Sequence, residues 1–198
     1  MTKLPLQQLR EIFGERLQEN VKLNNYTTTH VGGAVGGMMS INSASEMEFA
    51  LQNLWELDVP YHILGSGSNL LVSDSGFPGI ILHNRSHNVK INTKVDPPLI
   101  TAQSGATLGQ VAQMASRRGV SGFEWANSIP GTVGGAVYGN AGAHGSDVAE
   151  KLQSVLVITR EAGTQLLSTQ DMGYEYRSSK FKREGKPIVI LEATFVGG

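Results

Sequence analysis

The chain has 198 residues, of which 40% are hydrophobic, enough to build one large domain or two small subdomains around a core. Its 16 Lys and Arg residues nearly balance its 17 Asp and Glu residues, and no basic run alternates with aromatic residues, which argues against a nucleic-acid-binding protein. The absence of cysteine excludes disulfides, thiolate metal sites and a cysteine nucleophile.

The first 60 residues predict two helices. Apolar residues recur at helical spacing between Pro5 and Glu19, which predicts an amphipathic helix opened by proline. The apolar positions are Leu6, Leu9, Phe13 and Leu17. Charges occur throughout this segment, so we expect neither a signal peptide nor a membrane span, and we expect a cytoplasmic protein. Ser43 to Glu46 has capping-box spacing and predicts a second helix that ends near Asp58.

The remaining chain predicts a third helix and several short strands, and hence an α+β protein. The helix is expected from Leu108 to Arg118, with Thr107 as its N-cap and Gly119 just after its end. Strands are predicted at Tyr61–Leu64, Leu70–Val72, Gly79–Leu82, Val89–Ile91, Leu99–Ala102, Ser154–Thr159, Gln165–Leu167 and Ile188–Val196. Two prolines and flanking charges at Lys94–Pro98 interrupt this pattern and predict two subdomains, residues 1–96 and 97–198.

A first glycine patch follows the strand predicted at Tyr61–Leu64. It begins as a dinucleotide fingerprint does, with Gly65 and Gly67, but Leu70 takes the place of the third glycine and the next residues predict a strand instead of a helix. A Rossmann fold therefore does not fit. We interpret the patch as a tight strand–turn–strand whose N–H groups converge on an anion such as a pyrophosphate. The alternative is a polar hairpin turn without a ligand. The side-chain donors are Ser66, Ser68 and Asn69.

A second glycine patch runs from Ser128 to Gly145 and holds six glycines in eighteen residues. Glycine weakens helices and strands alike, so this patch predicts neither element but a backbone that approaches a ligand closely or reaches positive φ. His30 and His144 adjoin the glycine stretches. Because no carboxylates cluster with them at ligand spacing, we interpret both as loop histidines and predict no metal site.

Three motifs occur in the order that is typical of one enzyme family. They are Leu64–Gly76, Ser128–Gly145 and Tyr176–Lys182, and the stretch Thr27–Gly33 is also similar. In these segments the chain resembles the UDP-N-acetylenolpyruvoylglucosamine reductase family, the flavoproteins of peptidoglycan precursor synthesis. The resemblance extends from about Asn24 to Phe195, nearly the whole chain.

The resemblance implies an FAD-binding fold of the vanillyl-alcohol-oxidase/PCMH type, in which two α/β subdomains hold the flavin between them. It implies that the first glycine patch holds the pyrophosphate and that the second runs along the flavin. The implied cofactor-binding residues are Gly65, Ser66, Gly67, Ser68, Asn69, Leu70, Ser128, Ile129, Pro130, Gly131, Thr132, Gly134, Gly135, Asn140, Ala141 and Gly142.

The implied reaction is hydride transfer from NADPH to FAD and then to UDP-N-acetylglucosamine enolpyruvate, which yields UDP-N-acetylmuramate. Arg177 matches the catalytic arginine of the family, whose fixed charge would stabilise the negative charge that develops on the substrate carboxylate. Tyr176 and Arg177 are the implied substrate contacts. From the residues alone, Arg177 could equally be a surface ion-pair arginine and Tyr176 a core residue.

Family members continue past the equivalent of Val196 into a substrate-binding domain with a serine proton donor and a glutamate, whereas this chain stops at Gly198. We therefore expect the FAD-binding portion of the reductase, which would be inactive or impaired alone because the general acid is missing. The alternative is an FAD- or nucleotide-binding module without reductase turnover. We expect a UDP-sugar as the partner, with no nucleic acid and no membrane. The oligomeric state is not predicted.

Overall fold

The computed structural model describes residues 4–198, which form two compact units, one ending at Arg85 and the other beginning at Ser86. The first unit is built on a three-stranded sheet. Its elements are α1 (Leu6–Phe13), β1 (Val35–Ile41), α2 (Ala44–Glu56), β2 (Tyr61–Leu64) and β3 (Phe77–Asn84). The strands lie in the order β1-β3-β2 and both neighbouring pairs are parallel. Helix α2 connects β1 to β2, which are not adjacent because β3 lies between them.

Helix α1 is shorter than the sequence predicts. It ends at Phe13, because Gly14 takes a φ of 59°, and a 3₁₀ turn at Gly14–Arg16 follows it. Leu9, Phe13 and Leu17 are buried, so the predicted apolar face is confirmed. The prediction of a continuous helix to Glu19 was wrong, because a glycine at positive φ cannot continue a right-handed helix.

Helix α2 begins at the predicted N-cap. The Ser43 hydroxyl accepts a hydrogen bond from the Glu46 N–H at 3.2 Å. The Glu46 carboxylate accepts from the backbone N–H of Asn42 at 2.9 Å, one residue before the position that a capping box uses. The cap is thus confirmed, and its reciprocal bond is shifted by one residue.

Replacing Ser43 with alanine should lower the free energy of unfolding by about 1 kcal/mol, because the substitution leaves the Glu46 N–H without its acceptor. Urea denaturation followed by circular dichroism measures this loss. Ser43→Asp supplies an equally good acceptor and should unfold close to wild type. An equal loss in both variants would contradict the capping role.

The sequence misses β1 and predicts a strand where there is none. Gly36 and Gly37 concealed β1, which has an irregular register against β3 at these residues. The segment Leu70–Val72 is a loop: Leu70 and Val72 pack against the core of the unit, but Leu71 is 78% exposed. Its apolar residues therefore reflect side-chain packing without a strand partner, and the strand–turn–strand interpretation of the first glycine patch was wrong.

The second unit is built on a five-stranded antiparallel sheet. Its elements are β4 (Val89–Asn92), β5 (Leu99–Gln103), α3 (Leu108–Arg117), α4 (Val133–Gly139), β6 (Gly142–Ala143), β7 (Ser146–Asp147), α5 (Val148–Lys151), β8 (Leu152–Thr159), β9 (Gly163–Ser168), α6 (Thr169–Met172), α7 (Lys180–Glu184) and β10 (Val189–Val196). The sheet order is β4-β5-β10-β8-β9, and α3 and α4 contribute to the core that covers the sheet. Thr107 caps α3 by accepting from the Gln110 N–H at 3.1 Å, and Gly119 follows at φ 69°, so both predicted ends of this helix are confirmed.

The two units divide earlier than at the boundary predicted after Asp96. Strand β4 pairs with β5 along Val89–Asn92, so both strands belong to the second unit. Lys94–Pro98 lies in the connection between these two antiparallel strands. The prolines that suggested a subdomain boundary therefore mark a hairpin loop. None of the helices formed by residues 4–198 has the length and apolarity that crossing a bilayer requires.

Candidate functional site

In the first unit, the two family motifs Thr27–Gly33 and Leu64–Gly76 pack against each other. The Thr28 N–H donates to the Gly67 carbonyl at 3.1 Å. Gly67 has a φ of 66°, and a Cβ added to it would lie 2.0 Å from the Tyr26 carbonyl oxygen. The glycine at 67 is thus required by a contact within the protein, whereas the sequence interpretation attributed it to the approach of a ligand.

The turn after β2 presents consecutive backbone donors. In the described part of the chain, the N–H groups of Ser66, Gly67, Ser68 and Asn69 donate to no protein acceptor. The Ser66 hydroxyl donates to the Ser68 hydroxyl at 3.3 Å. Successive N–H groups in a turn can bind an anion, and these four are not used within the described part of the protein.

In the second unit, the glycine patch contains a helix that the sequence did not predict. Helix α4 occupies seven of its residues, and Val133 and Val137 on it are fully buried. A Cβ on Gly134 would lie 3.1 Å from the Ser104 Cβ, so glycine allows the helix to pack closely on this residue. The expectation that six glycines exclude a helix was wrong, because tertiary packing outweighs helix propensity here.

One face of α4 carries no side chains. Gly135 and Gly139 are four residues apart and share that face. A Cβ added to Gly139 would meet no atom within 4 Å, and one added to Gly135 would meet only the Thr132 hydroxyl, at 3.8 Å. This face therefore leaves room for a flat ligand against the helix backbone.

The start of α4 is satisfied within the protein. The Val133 N–H donates to the Ala106 carbonyl and the Gly134 N–H to the Ser104 carbonyl, both at 2.8 Å. These two donors are the first of the orphan N–H groups that a helix presents at its N-terminus. They are not available to a ligand, which limits the expectation that this patch lines a ligand with N–H groups.

Most of the predicted cofactor residues in the second unit are accessible. Ser128, Pro130 and Gly135 are exposed, and Ile129, Gly131, Thr132, Gly134, Ala141 and Gly142 are half-buried. The patch is closed at its two ends by a 3.5 Å contact between the Ser128 hydroxyl and Nε2 of His144. Asn140 differs from the others, because its side chain is buried and bonded to protein groups.

Tyr176 and Arg177 form the tip of a tight turn. The Glu175 and Ser178 backbones exchange two hydrogen bonds, of 2.9 and 3.1 Å, across the turn. Arg177 takes a φ of 54°, a left-handed conformation that is uncommon outside glycine and that occurs often at functional sites. Tyr176 is 89% exposed, so the core alternative for this residue was wrong.

The charges around the turn leave Arg177 accessible. Its guanidinium lies 6.0 Å from the centre of the Tyr176 ring. Arg183 pairs with Glu175 at 3.3 Å, and the Lys182 ammonium donates to the Arg177 carbonyl at 3.0 Å. Within residues 4–198 the Arg177 side chain itself forms no ion pair. The surface ion-pair interpretation of this arginine therefore has no support in the structure.

No metal centre is formed by the described residues. Across residues 4–198, no group of three or more His, Asp or Glu side chains is arranged to hold a metal ion. His30 and His144 lie at positive φ, of 53° and 54°, in the stretches next to the glycine motifs.

Comparison with known proteins identifies the family. Residues 37–168 match the family model that is described as an FAD binding domain. The chain belongs to this FAD-binding family. This chain is 38% identical over 176 residues to the UDP-N-acetylenolpyruvoylglucosamine reductase of Acaryochloris marina. That alignment covers 88% of the chain and 56% of the relative, so the chain spans just over half of the relative's length.

Solved structures confirm the FAD-binding fold. The crystal structure of UDP-N-acetylenolpyruvylglucosamine reductase from Thermus caldophilus matches with a TM-score of 0.76 at 29% identity, over 92% of this chain and 62% of that one. A VAO-type flavoprotein from Myceliophthora thermophila matches with a TM-score of 0.61 at 17% identity, over 84% of this chain and 32% of that one. The fold class expected from the motifs is therefore confirmed.

Proposed function

We propose that the chain is the FAD-binding portion of a reductase that uses NADPH to convert UDP-N-acetylglucosamine enolpyruvate into UDP-N-acetylmuramate. The observation that carries the proposal is the turn at Tyr176 and Arg177, which presents an accessible cation without an ion-pair partner among residues 4–198. Relatives that are named as this reductase and match about 90% of the chain support it.

Each unit, taken by itself, contains groups that suit a part of the cofactor. The N–H groups of Ser66 to Asn69 suit the pyrophosphate, and the bare face at Gly135 and Gly139 suits the flavin ring, bordered by residues 128–132. Bound FAD supplies the hydride chemistry, and the protein supplies binding, orientation and electrostatics.

Arg177 is the residue that we propose as catalytic. Reduction of an enol ether conjugated to a carboxylate moves negative charge onto that carboxylate, and a guanidinium can accept this charge through two parallel N–H···O bonds. The planar guanidinium presents its N–H donors in a fixed fork that matches the geometry of a carboxylate. Tyr176, stacked near Arg177 and exposed, would contact the same substrate.

The wider role follows from the same proposal. A UDP-sugar reductase of this kind would act in the cytoplasm in peptidoglycan precursor synthesis, and so in cell wall biogenesis, cell shape and cell division. NADPH would be the co-substrate that reduces FAD. The relatives' names support the reductase activity, and the proposed cellular role depends on that activity.

The first test is flavin retention. After incubation with excess FAD and gel filtration, the purified chain should retain flavin, visible as its absorbance and as quenched or shifted fluorescence. Anaerobic addition of the enolpyruvyl sugar to the photoreduced protein, supplemented with the substrate-binding domain that family members carry, should then reoxidise the flavin, because the FAD-binding portion alone is expected to be inactive or impaired. Loss of flavin on the column would contradict the proposal. Retained flavin that does not respond to the sugar would instead favour a binding module without reductase turnover.

A further inference from the structure

Two hydroxyl groups tie the turn at Tyr176 and Arg177 to the end of helix α4. The Tyr174 hydroxyl donates to the Val137 carbonyl at 2.8 Å, and the Ser179 hydroxyl donates to the Tyr138 carbonyl at 2.7 Å. The carbonyls in the last turn of a helix have no intrahelical partner. Residues on both sides of the turn therefore complete the hydrogen bonding of α4.

Asn140 makes the third connection. It ends α4 in the left-handed conformation, with a φ of 48°, and its side chain is only 3% exposed. Its amide N–H groups donate to the Glu175 carbonyl at 3.0 Å and to the Asp147 carboxylate at 3.1 Å, and its Oδ1 accepts from the Ala149 N–H at 3.0 Å. One side chain thus joins the end of α4, the start of α5 and the turn that carries Arg177.

The hydrogen bond from Asn140 reaches the Glu175 carbonyl, which also closes the turn that carries Arg177. The Glu175 carbonyl also accepts the Ser178 N–H, at 3.1 Å, which closes the turn around Tyr176 and Arg177. Arg177 is held in a left-handed conformation that is strained for a residue with a side chain, so the surrounding structure must stabilise it. Asn140 supplies this support from the buried side, because its side-chain N–H donates to the Glu175 carbonyl, which closes the turn.

We propose that Asn140, together with Ser179 and Tyr174, is a positioning residue that holds the Arg177 turn against the glycine patch. This inference rests on the proposed function of Arg177, and it gives the side chain of Asn140, which the resemblance implied to be a cofactor-binding residue, a role within the protein. Ser179, which sequence reasoning missed, caps α7 as well: its hydroxyl accepts the Lys182 N–H at 3.3 Å. Its sequence signal is a serine before Lys180–Glu184 with Gly185 after it.

A simpler role for Asn140 is to end α4 in a left-handed conformation, which glycine does equally well. Two substitutions separate the roles. Asn140→Gly keeps the backbone conformation and removes all three side-chain bonds. Asn140→Asp keeps the acceptor for Ala149 but loses both donors and places a second carboxylate beside Asp147. If only the helix end matters, the glycine variant should behave as wild type.

The first measurement is amide hydrogen exchange in the whole chain. Both variants should accelerate exchange at Ser178 and Glu175 on the order of tenfold, since the turn loses a hydrogen bond that stabilises it. Amides of the β8–β10 ladder should keep wild-type protection. Asn92→Asp is the matched control, because Asn92 is exposed and only accepts, from the Lys94 N–H at 3.0 Å, which a carboxylate still does. Wild-type exchange at the turn in the glycine variant would overturn the inference.

A second variant keeps the test decisive if an Asn140 substitution loosens the entire unit. Ser179→Ala leaves Asn140 intact and removes the bond to Tyr138, so it should accelerate exchange at the same turn amides. Ser178→Ala is its control, since this hydroxyl makes only a 3.4 Å bond to the Ser179 carbonyl. If S179A leaves turn exchange as slow as S178A does, the positioning role is wrong.

The third measurement separates positioning from general stability. In the FAD-loaded chain supplemented with the substrate-binding domain, N140D should slow substrate-driven flavin reoxidation about tenfold when Arg177 is present and cause no further loss in an R177M background, because both substitutions then remove the same effect. Equal losses in both backgrounds would show that Asn140 acts independently of Arg177 and would overturn the inference. If the wild type itself shows no response to the sugar, the proposed function fails, and hydrogen exchange still decides whether Asn140 holds the turn.

Discussion

A Gly67→Ala variant is expected to lose about 3 kcal/mol of unfolding free energy and to lose its affinity for FAD. An alanine at φ 66° costs on the order of 1 kcal/mol, because left-handed backbone conformations are unfavourable for residues with a Cβ. The new methyl would also lie 2.0 Å from the Tyr26 carbonyl oxygen, a backbone atom that cannot rotate away, and such overpacking typically costs 1–3 kcal/mol. Urea denaturation measures the sum.

The affinity should fall because the clash can be relieved only by moving the turn or the backbone at Tyr26. Either movement breaks the 3.1 Å bond from the Thr28 N–H to the Gly67 carbonyl and disorders the donors at 66–69. Gly185→Ala is the matched control: Gly185 is in the left-handed conformation at φ 62°, and a Cβ there meets no atom within 4 Å. It should show only the conformational cost and bind FAD as wild type does. If the two variants are equally stable, contact with Tyr26 does not explain the glycine.

The sequence predicted the elements whose signals are local. Ser43 and Thr107 precede helical periodicity, and both cap the helices that they were expected to cap. Elements that depend on tertiary contacts were missed. Helix α4 forms in a glycine-rich segment because Val133 and Val137 are buried and Gly134 fits against Ser104, and none of these contacts can be inferred from local spacing.

Strand prediction failed for a related reason. An apolar run can pack without pairing, as at Leu70–Val72, and a strand with two glycines can pair without a strand signal, as at Val35–Ile41. The loop Lys94–Pro98 has the composition of a linker, yet it joins two paired strands. In each case the presence or absence of a hydrogen-bonded partner strand determines the element, and composition does not encode that partner.

In the candidate site as well, the sequence indicated some residues, while their contacts became known only from the structure. The resemblance identified Arg177, but its exposure, its φ of 54° and the absence of an ion pair within residues 4–198 required the structure. The family resemblance implied that Asn140 is a cofactor-binding residue. Its amide is bonded to Asp147, Ala149 and Glu175, which lie 7, 9 and 35 residues away in sequence. Motif membership does not predict what the side chains of its residues contact.

Arg177→Met should slow substrate-driven flavin reoxidation by about 10²–10³-fold while leaving the dissociation constant for FAD within about twofold of wild type. The range is that observed when one fixed donor to a developing anion is removed from an active site. Methionine also has a long unbranched side chain, so the substitution should leave the backbone conformation of the turn unchanged. It removes only the positive charge and the N–H donors of residue 177. The measurement is stopped-flow absorbance of the photoreduced, FAD-loaded chain, supplemented with the substrate-binding domain and mixed anaerobically with the enolpyruvyl sugar.

The pattern of three variants identifies the chemistry that Arg177 contributes. Arg118→Met is the control for loss of a positive charge in the same unit, because Arg118 is exposed at the end of α3, and it should react at the wild-type rate. Arg177→Lys keeps the charge without the planar fork and should fall between wild type and R177M, about tenfold slow, if bidentate binding of the carboxylate matters. Should R177K match the wild type, charge alone stabilises the carboxylate. Should R177M also match it, this arginine takes no part in the reaction, and the reductase proposal loses the observation that carries it.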